Sequence, residues 1–338
     1  LQPNSNVLSN RQRVINAVTF QPNDYAPHSV SFTQEMHAKM VAYTGNTAYE
    51  STINNHVAEI ELMEPIVEIR PGFFRDEYGV VWNRTADKDI GVVEDILIPD
   101  IEALDDYEFP PVNEAYVRST LEALAKLGDD KFRVASLGFS TFERAWTLCG
   151  MENLLCYMVE EPELLHRLMR KIFDRNMIIV KIAMEHDIDA MIFGDDWGQQ
   201  QGLIMGPTHW REFIKPYIKE LYAYVHKHGK FVAQHSCGDI REILDELIDM
   251  GLNIYQTFQP EIYGLDYAKK LIGRMTVWGG ISTQADLPCK TPEEIRRVTQ
   301  ETLAAFSRGG LIAAPTHAVP FDVPPENILA MMEVLRNQ

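Results

Sequence analysis

The chain is short of cysteine, of positive charge and of long apolar runs, and each shortage removes a class of function. Its 338 residues include 4 cysteines, Cys149, Cys156, Cys237 and Cys289. That is too few for the disulfide framework of a small secreted scaffold, and it fits a reducing compartment. Lys and Arg number 31 against 49 Asp and Glu, a net charge of −18. A body this negative repels nucleic acid and anionic membranes, and it disfavours a polycarboxylate ligand unless a local arginine cluster overrides the field. No apolar run approaches the roughly 20 residues of a membrane helix, and the start shows no basic-then-apolar leader. The expectation is a soluble, cytoplasmic protein with no nucleic-acid or membrane partner. Gly-x-Gly-x-x-Gly follows none of the apolar runs, and Gly279-Gly280 and Gly309-Gly310 lack a phosphate cradle. Both points weaken a dinucleotide-binding doubly wound sheet, the alternative fold.

What the sequence has is an alternation. With 46% apolar residues the chain can build a large core. From Phe132 onward, short β-branched runs alternate with longer amphipathic ones. Strands are expected at Phe132–Ser136, Ala190–Phe193, Lys230–Gln234, Asn253–Thr257, Met275–Trp278 and Leu311–Ala314. The intervening text reads as helix over Thr141–Met158, Glu161–His186, Pro207–His228, Ile240–Met250, Leu265–Ile272, Pro292–Ser307 and Pro325–Leu335. Alternation of this kind implies right-handed βαβ crossovers and a parallel sheet. Tyr25–Phe32 and Gly79–Asn83 are further strand candidates, and Pro99–Pro111 reads as an acidic connection. The count points to an α/β (β/α)8 TIM-type barrel with an N-terminal excursion, one domain over 1–338, since such barrels run to about 250 residues or more as a single unit.

In a parallel barrel the chemistry sits just past the strand ends. His235-Ser-Cys237-Gly follows one such strand. Residues two apart in extended backbone point to the same side, so the imidazole and the thiol can converge on one zinc ion, a borderline-soft cation that suits both. The bland alternative is a hydrogen-bonded histidine beside a small buried thiol. A catalytic zinc needs a third protein ligand and an open position. His317, past the last strand, is the first candidate and Cys289 the second, while Cys149 and Cys156 fall in apolar helical text. Asp195 and Asp196, after the strand ending at Phe193, are candidate catalytic groups or partners of a metal-bound histidine, against the alternative of a loop carboxylate binding its own backbone. Trp197 and Gln199 are candidate substrate-binding residues. Glu143 and Arg144, adjacent on a helix start, read as an internal ion pair.

Taken together, these motifs resemble the uroporphyrinogen decarboxylase superfamily, and within it the corrinoid-dependent methyltransferase branch. The resemblance is carried by Asn10-Arg-Gln-Arg-Val-Ile-Asn-Ala-Val, Phe74-Arg-Asp-Glu-Tyr-Gly-Val-Val-Trp, Thr141-Phe-Glu-Arg-Ala-Trp, Gly194-Asp-Asp-Trp-Gly, His235-Ser-Cys-Gly-Asp and Ala314-Pro-Thr-His-Ala-Val-Pro-Phe-Asp. It implies a TIM-type barrel with its site at the strand C-termini. In the methylcobalamin:thiol methyltransferases zinc is held by a His-x-Cys pair and a distant Cys. His235 and Cys237 match the pair, and His317 stands in the Ala-Pro-x-x turn of the distant Cys, a departure that puts a thiol substrate in doubt. The resemblance implies a zinc-dependent methyltransferase moving a methyl group between a small methyl ether or thiol and a corrinoid on a partner protein. It leaves room for a homodimer. The alternatives are a metal-free tetrapyrrole decarboxylase, whose arginine-containing N-terminal motif is replaced here by Tyr25-Ala-Pro-His-Ser-Val-Ser-Phe, and a non-catalytic barrel that binds a corrinoid or partner.

Overall fold

Seven strands of five or six residues punctuate the chain in the computed structural model, which describes residues 8–86, 88, 91–127 and 129–338. They are β1 (Val57–Glu61), β2 (Phe132–Leu137), β3 (Ala190–Gly194), β4 (Phe231–His235), β5 (Ile254–Phe258), β6 (Thr276–Ile281) and β7 (Leu311–Pro315). They form one sheet in that order, and β2–β3, β3–β4, β5–β6 and β6–β7 pair in parallel, each pair joined through helical segments. The expected α/β fold of TIM type is therefore present, with strand boundaries within a few residues of those read from the sequence. Among the described residues, no helix is long and apolar enough to cross a membrane.

The chain divides into two compact units. One comprises Leu1–Ala58, Leu127–Arg133 and Asn253–Gln338; the other comprises Glu59–Lys126 and Val134–Leu252.

In the first unit, β5, β6 and β7 carry fully buried side chains such as Ile254, Tyr255, Val277 and Ile312. Each fully buried aliphatic group of this size contributes about 1.5–3 kcal/mol. The helix Pro292–Ala305 starts at a reciprocal capping box, Thr291 with Glu294, which satisfies two orphan N–H groups. The expected strand at Tyr25–Phe32 is replaced by two parallel bridges, His28 to Ala313 and Phe32 to Val319. Ser29 N–H donates to the Ala313 carbonyl (3.0 Å) and His56 N–H to the His28 carbonyl (3.0 Å), so this segment lies between β7 and the residues leading into β1. Pro27 has no N–H to give to a ladder, which keeps the eighth stave short.

In the second unit, β3 and β4 run in register from Ala190 opposite Phe231 to Gly194 opposite His235. The helix Pro162–Ala183 buries Leu165, Leu168, Met169, Ile172, Phe173, Asn176, Ile179, Val180 and Ala183, the one-sided spacing of a helix packed on a sheet. The helical text over Thr141–Met158 is two helices, Phe142–Cys149 and Met151–Glu160, broken at Gly150, whose φ of 86° ends the first. The N-terminal excursion is a four-stranded antiparallel sheet built from Val67–Arg70, Phe73–Arg75, Val81–Asn83 and Val92–Val93. The acidic connection contains a 3₁₀ helix, Ile101–Asp106.

Candidate metal centre

His235 is the last residue of β4 and Cys237 lies two beyond it, so both side chains leave the strand end on one side. Their Nε2 and Sγ atoms are 3.6 Å apart. The loop carrying Cys237 is fixed by close backbone contact. Gly238 has φ 80°, and a Cβ built there would lie 2.3 Å from the carbonyl carbon of Gly198. Only glycine fits both the conformation and the gap. Behind the strand, the Tyr222 hydroxyl donates to Gln234 (2.6 Å), whose amide donates to the His235 carbonyl (2.9 Å), which holds the backbone of the histidine.

Asp196 ties the pair together. Its Oδ1 accepts from the Cys237 backbone N–H (2.7 Å) and stands 3.3 Å from His235 Nε2. Burial pushes the Asp196 carboxyl up, but the hydrogen bond and charge of His235 and the Cys237 N–H outweigh it and bring the pKa to about 2. Burial opposes a charge on His235, yet Asp196 and then Cys237 hold its pKa well above the ordinary histidine value. Burial raises the Cys237 thiol, with His235 pulling the other way. One cation between an imidazole, a thiol and a carboxylate is what this arrangement stabilises.

The two adjacent acids play different parts. Asp195 is fully buried and accepts from the backbone N–H of Thr141 (3.3 Å), Phe142 (2.9 Å) and Glu143 (2.8 Å), from the Trp197 indole (2.6 Å) and from the Thr141 hydroxyl. Burial pushes its pKa up against these donors. Its carboxylate is the anion at the N-terminus of the helix Phe142–Cys149 and is committed to the fold. Trp197, also fully buried, packs edge-on against Trp210 at 5.6 Å, while Gln199 is exposed in the short hairpin Gly198–Leu203.

Glu143 and Arg144 do not pair with each other. Neighbouring helix positions point about 100° apart, and Arg144 donates instead to Asp76 at 2.7 Å. Glu143 faces the acids: burial first, then the charges of Asp196 and Asp195, push its pKa up to about 8. It therefore stores a proton at neutral pH.

In the first unit, His317 follows the end of β7 in a turn pinned by Thr316. The Thr316 N–H donates to the Ile281 carbonyl (2.9 Å), and its hydroxyl meets that of Thr283 (3.0 Å). Of the three residues read as metal ligands, His235 and Cys237 stand together at a strand end of the second unit, and His317 stands at a strand end of the first. Cys289, the other candidate for the third ligand, is exposed in its loop.

Two acids escaped the sequence reading. β1 reads Val57-Ala-Glu-Ile-Glu, and its alternation turns Glu59 and Glu61 to the same side. Glu61 accepts from the N–H groups of Leu62 (2.9 Å), Met63 (3.0 Å) and Gly138 (3.2 Å) and from the Ser136 hydroxyl (3.1 Å). Both carboxyls reach water, yet the protein crowded around them raises their pKa values, that of Glu61 to about 7. The period-two pattern was the available signal, but acids on alternate positions look like the solvent face of an edge strand.

The chain resembles known proteins over most of its length. Residues 83–338 match the family described as Uroporphyrinogen decarboxylase (URO-D). The uroporphyrinogen decarboxylase of Methylococcus capsulatus is 24% identical over 245 residues, 67% of this chain and 65% of that protein, so the match spans just under two thirds of that relative's length. The uroporphyrinogen decarboxylase of Chlorobaculum parvum is 25% identical over 287 residues, 77% of each protein. Among solved structures, a methyltransferase from Methanosarcina mazei has the same fold, with a TM-score of 0.72 over 98% of this chain and 99% of that one at 17% identity. A family match that covers well over half of the sequence makes this chain a member of the uroporphyrinogen decarboxylase family.

Proposed function

We propose that the protein is a zinc-dependent methyltransferase that moves a methyl group between a small substrate, a methyl ether or a thiol, and a corrinoid carried by a partner protein. The observation that carries the reading is the His235–Cys237 pair at the end of β4, with His317 as the proposed third ligand. The His235–Cys237 pair passes a test of fit. Zinc bonds of about 2.3 Å to sulfur and 2.0–2.1 Å to nitrogen, at a tetrahedral angle, require N and S about 3.5–3.6 Å apart; His235 Nε2 and Cys237 Sγ are 3.6 Å apart. Three protein ligands leave a fourth position for substrate. The fold shared with a methyltransferase agrees with this reading.

Zinc held there supplies Lewis acidity, lowering the pKa of a thiol or polarising an ether oxygen. The chain's own residues do the rest. Gly238 and Asp196 fix the positions of the histidine and the thiol, so little reorganisation accompanies binding. Glu143, its pKa raised by burial and by Asp196 and Asp195, is the acid placed to hold or release a proton beside the site. A second imidazole in place of a thiolate leaves the ligand set less anionic, which favours an ether oxygen over a thiol as the group bound.

The names of the curated relatives favour a second reading, decarboxylation of a tetrapyrrole. Its substrate carries several carboxylates, whereas the ends of β1 and β3 present the acids Glu61 and Asp196 in the place of cationic partners. Purified protein supplied with methylcobalamin and thiols, or with cob(I)alamin and methyl aryl ethers, distinguishes the readings. Methyl transfer lost in His235→Ala is the expected result; CO₂ release from uroporphyrinogen with no methyl transfer overturns it.

A further inference from the structure

Beyond the ends of β1 and β2, within the second unit, lies a cavity of about 130 Å³ whose lining includes Met63, Ile66, Asp76, Trp82, Phe139 and Arg144. Arg144 is 1% exposed. One end of its guanidinium is spoken for: Nη1 donates to Asp76 Oδ2 at 2.7 Å, and the plane lies 3.9 Å over the Tyr78 ring. The opposite edge, where Nε–H and an Nη2–H lie side by side, is not. Among the described residues, Nε is buried without a hydrogen-bond partner and Nη2 meets only the Met63 sulfur at 3.7 Å. That edge is the fork that matches a carboxylate with two parallel bonds. Elsewhere in this chain it is used that way: Arg13 gives Nε and Nη2 to the two oxygens of Asp24 at 2.8 and 2.7 Å.

A buried N–H with no acceptor costs about 1–3 kcal/mol, so its persistence calls for an explanation. The walls supply one. Trp82 and Phe139 meet at 5.5 Å and 74°, and Phe139 is held at φ 48°, in the left-handed region that a bulky residue rarely occupies. A cavity of roughly 150 Å³ is large enough for benzene. Met63 covers the fork with an unbranched thioether that moves aside at little cost. We infer that this cavity binds a small monocarboxylate with a flat apolar body, its oxygens on the Nε/Nη2 edge of Arg144 and its body against Trp82 and Phe139. Glu64, Glu77 and Arg84 also line the cavity; Asp76 balances Arg144 and Arg175 pairs with Glu77 (2.9 Å), so recognition comes from the geometry of the fork rather than from net charge. None of these residues belongs to the proposed metal site, and the inference does not rest on methyl transfer.

Benzoate titrated into the full chain, followed by calorimetry and tryptophan fluorescence, tests this, with benzamide as the neutral molecule of the same shape. The expected result is saturable benzoate binding at one site per chain, with benzamide weaker by about tenfold or more, equivalent to about 1.4 kcal/mol. Arg144→Lys keeps a cation opposite Asp76 but has no fork, and benzoate affinity falls by a similar factor. Should that variant fail to fold, Met63→Trp fills the cavity from its adaptable side and abolishes binding in a protein of unchanged circular dichroism. Absence of saturable benzoate binding, equal binding of benzamide, or binding undiminished in folded Arg144→Lys or Met63→Trp overturns the inference.

Discussion

Asp196 Oδ1 lies 3.3 Å from Nε2 of His235 and, through the same oxygen, accepts the backbone N–H of Cys237 at 2.7 Å. One carboxylate thus sets the spacing of two side chains that the strand has already turned the same way. Its contact with His235 is to the nitrogen that zinc would take, so its supporting role is the hold on the Cys237 backbone; outer contacts of metal ligands typically account for about 10–100-fold of metal affinity. Asp196→Asn keeps the shape and loses the charge, so zinc affinity should fall within that range while thermal stability hardly changes. Chelator competition on the folded variant checks it; unchanged affinity would remove Asp196 from the site.

Its neighbour should behave in the opposite way. Asp195 receives four N–H groups and a hydroxyl in a fully buried place. In Asp195→Asn an amide NH₂ faces some of those donors, which leaves buried groups unpaired. A loss of about 3 kcal/mol or more is expected. Denaturant unfolding of Asp195→Asn beside Asp196→Asn measures the contrast, and equal stability of the two variants would refute it.

Backbone geometry at Gly238 gives a third outcome. Alanine there meets both a left-handed φ of 80° and a Cβ 2.3 Å from the Gly198 carbonyl carbon. The loop must shift, taking Cys237 with it. Gly238→Ala should cost more than about 1 kcal/mol and weaken zinc retention. A variant that melts and binds zinc like the parent would show that the loop is less tightly fixed than its contacts indicate.

Acid stability follows from a pair of buried histidines outside the proposed ligand set. His28 and His56 are buried with ring centroids 4.5 Å apart, and His28 Nδ1 and His56 Nε2 have no hydrogen-bond partner among the described residues. Burial, helped for His56 by the charges of His28 and Arg13, lowers both pKa values, that of His56 to about 3. As pH falls below the unfolded value near 6.5, the unfolded chain takes up protons that the folded chain refuses, so stability declines by up to about 1.4 kcal/mol per pH unit for each histidine. Glu61 has the opposite sign: its pKa, raised to about 7, gives stability that is present at low pH and lost as pH rises through 7. Unfolding midpoints between pH 6.5 and 4.5 should therefore show a shallower decline in His56→Gln and a steeper one in Glu61→Gln. Parallel slopes in all three proteins would contradict the assignment.

The sequence was most readable where local chemistry and fold agree. Runs such as Ala190-Met-Ile-Phe had one sensible reading, and so did the Thr291-Pro-Glu-Glu helix start. His235 and Cys237 were legible because alternation in a strand is a strict geometric rule. Other parts depended on contacts distant in sequence. Nothing near Asp195 announces that it caps a helix more than fifty residues earlier in the chain. Arg144 read as the partner of Glu143 because Asp76, which holds it, lies in the excursion sheet's text. The segment Tyr25–Phe32 was legible as extended chain, but that it makes two isolated bridges instead of a ladder was not, and Glu59 and Glu61 drew no reading because acids on alternate positions resemble a solvent face.

Zinc content per chain tests the central claim most directly. After dialysis against zinc and removal of excess, elemental analysis should find about one zinc in the parent protein and little or none in His235→Ala or Cys237→Ala, each shown to be folded. A parent protein that retains no zinc, or zinc that remains in both variants, would contradict it.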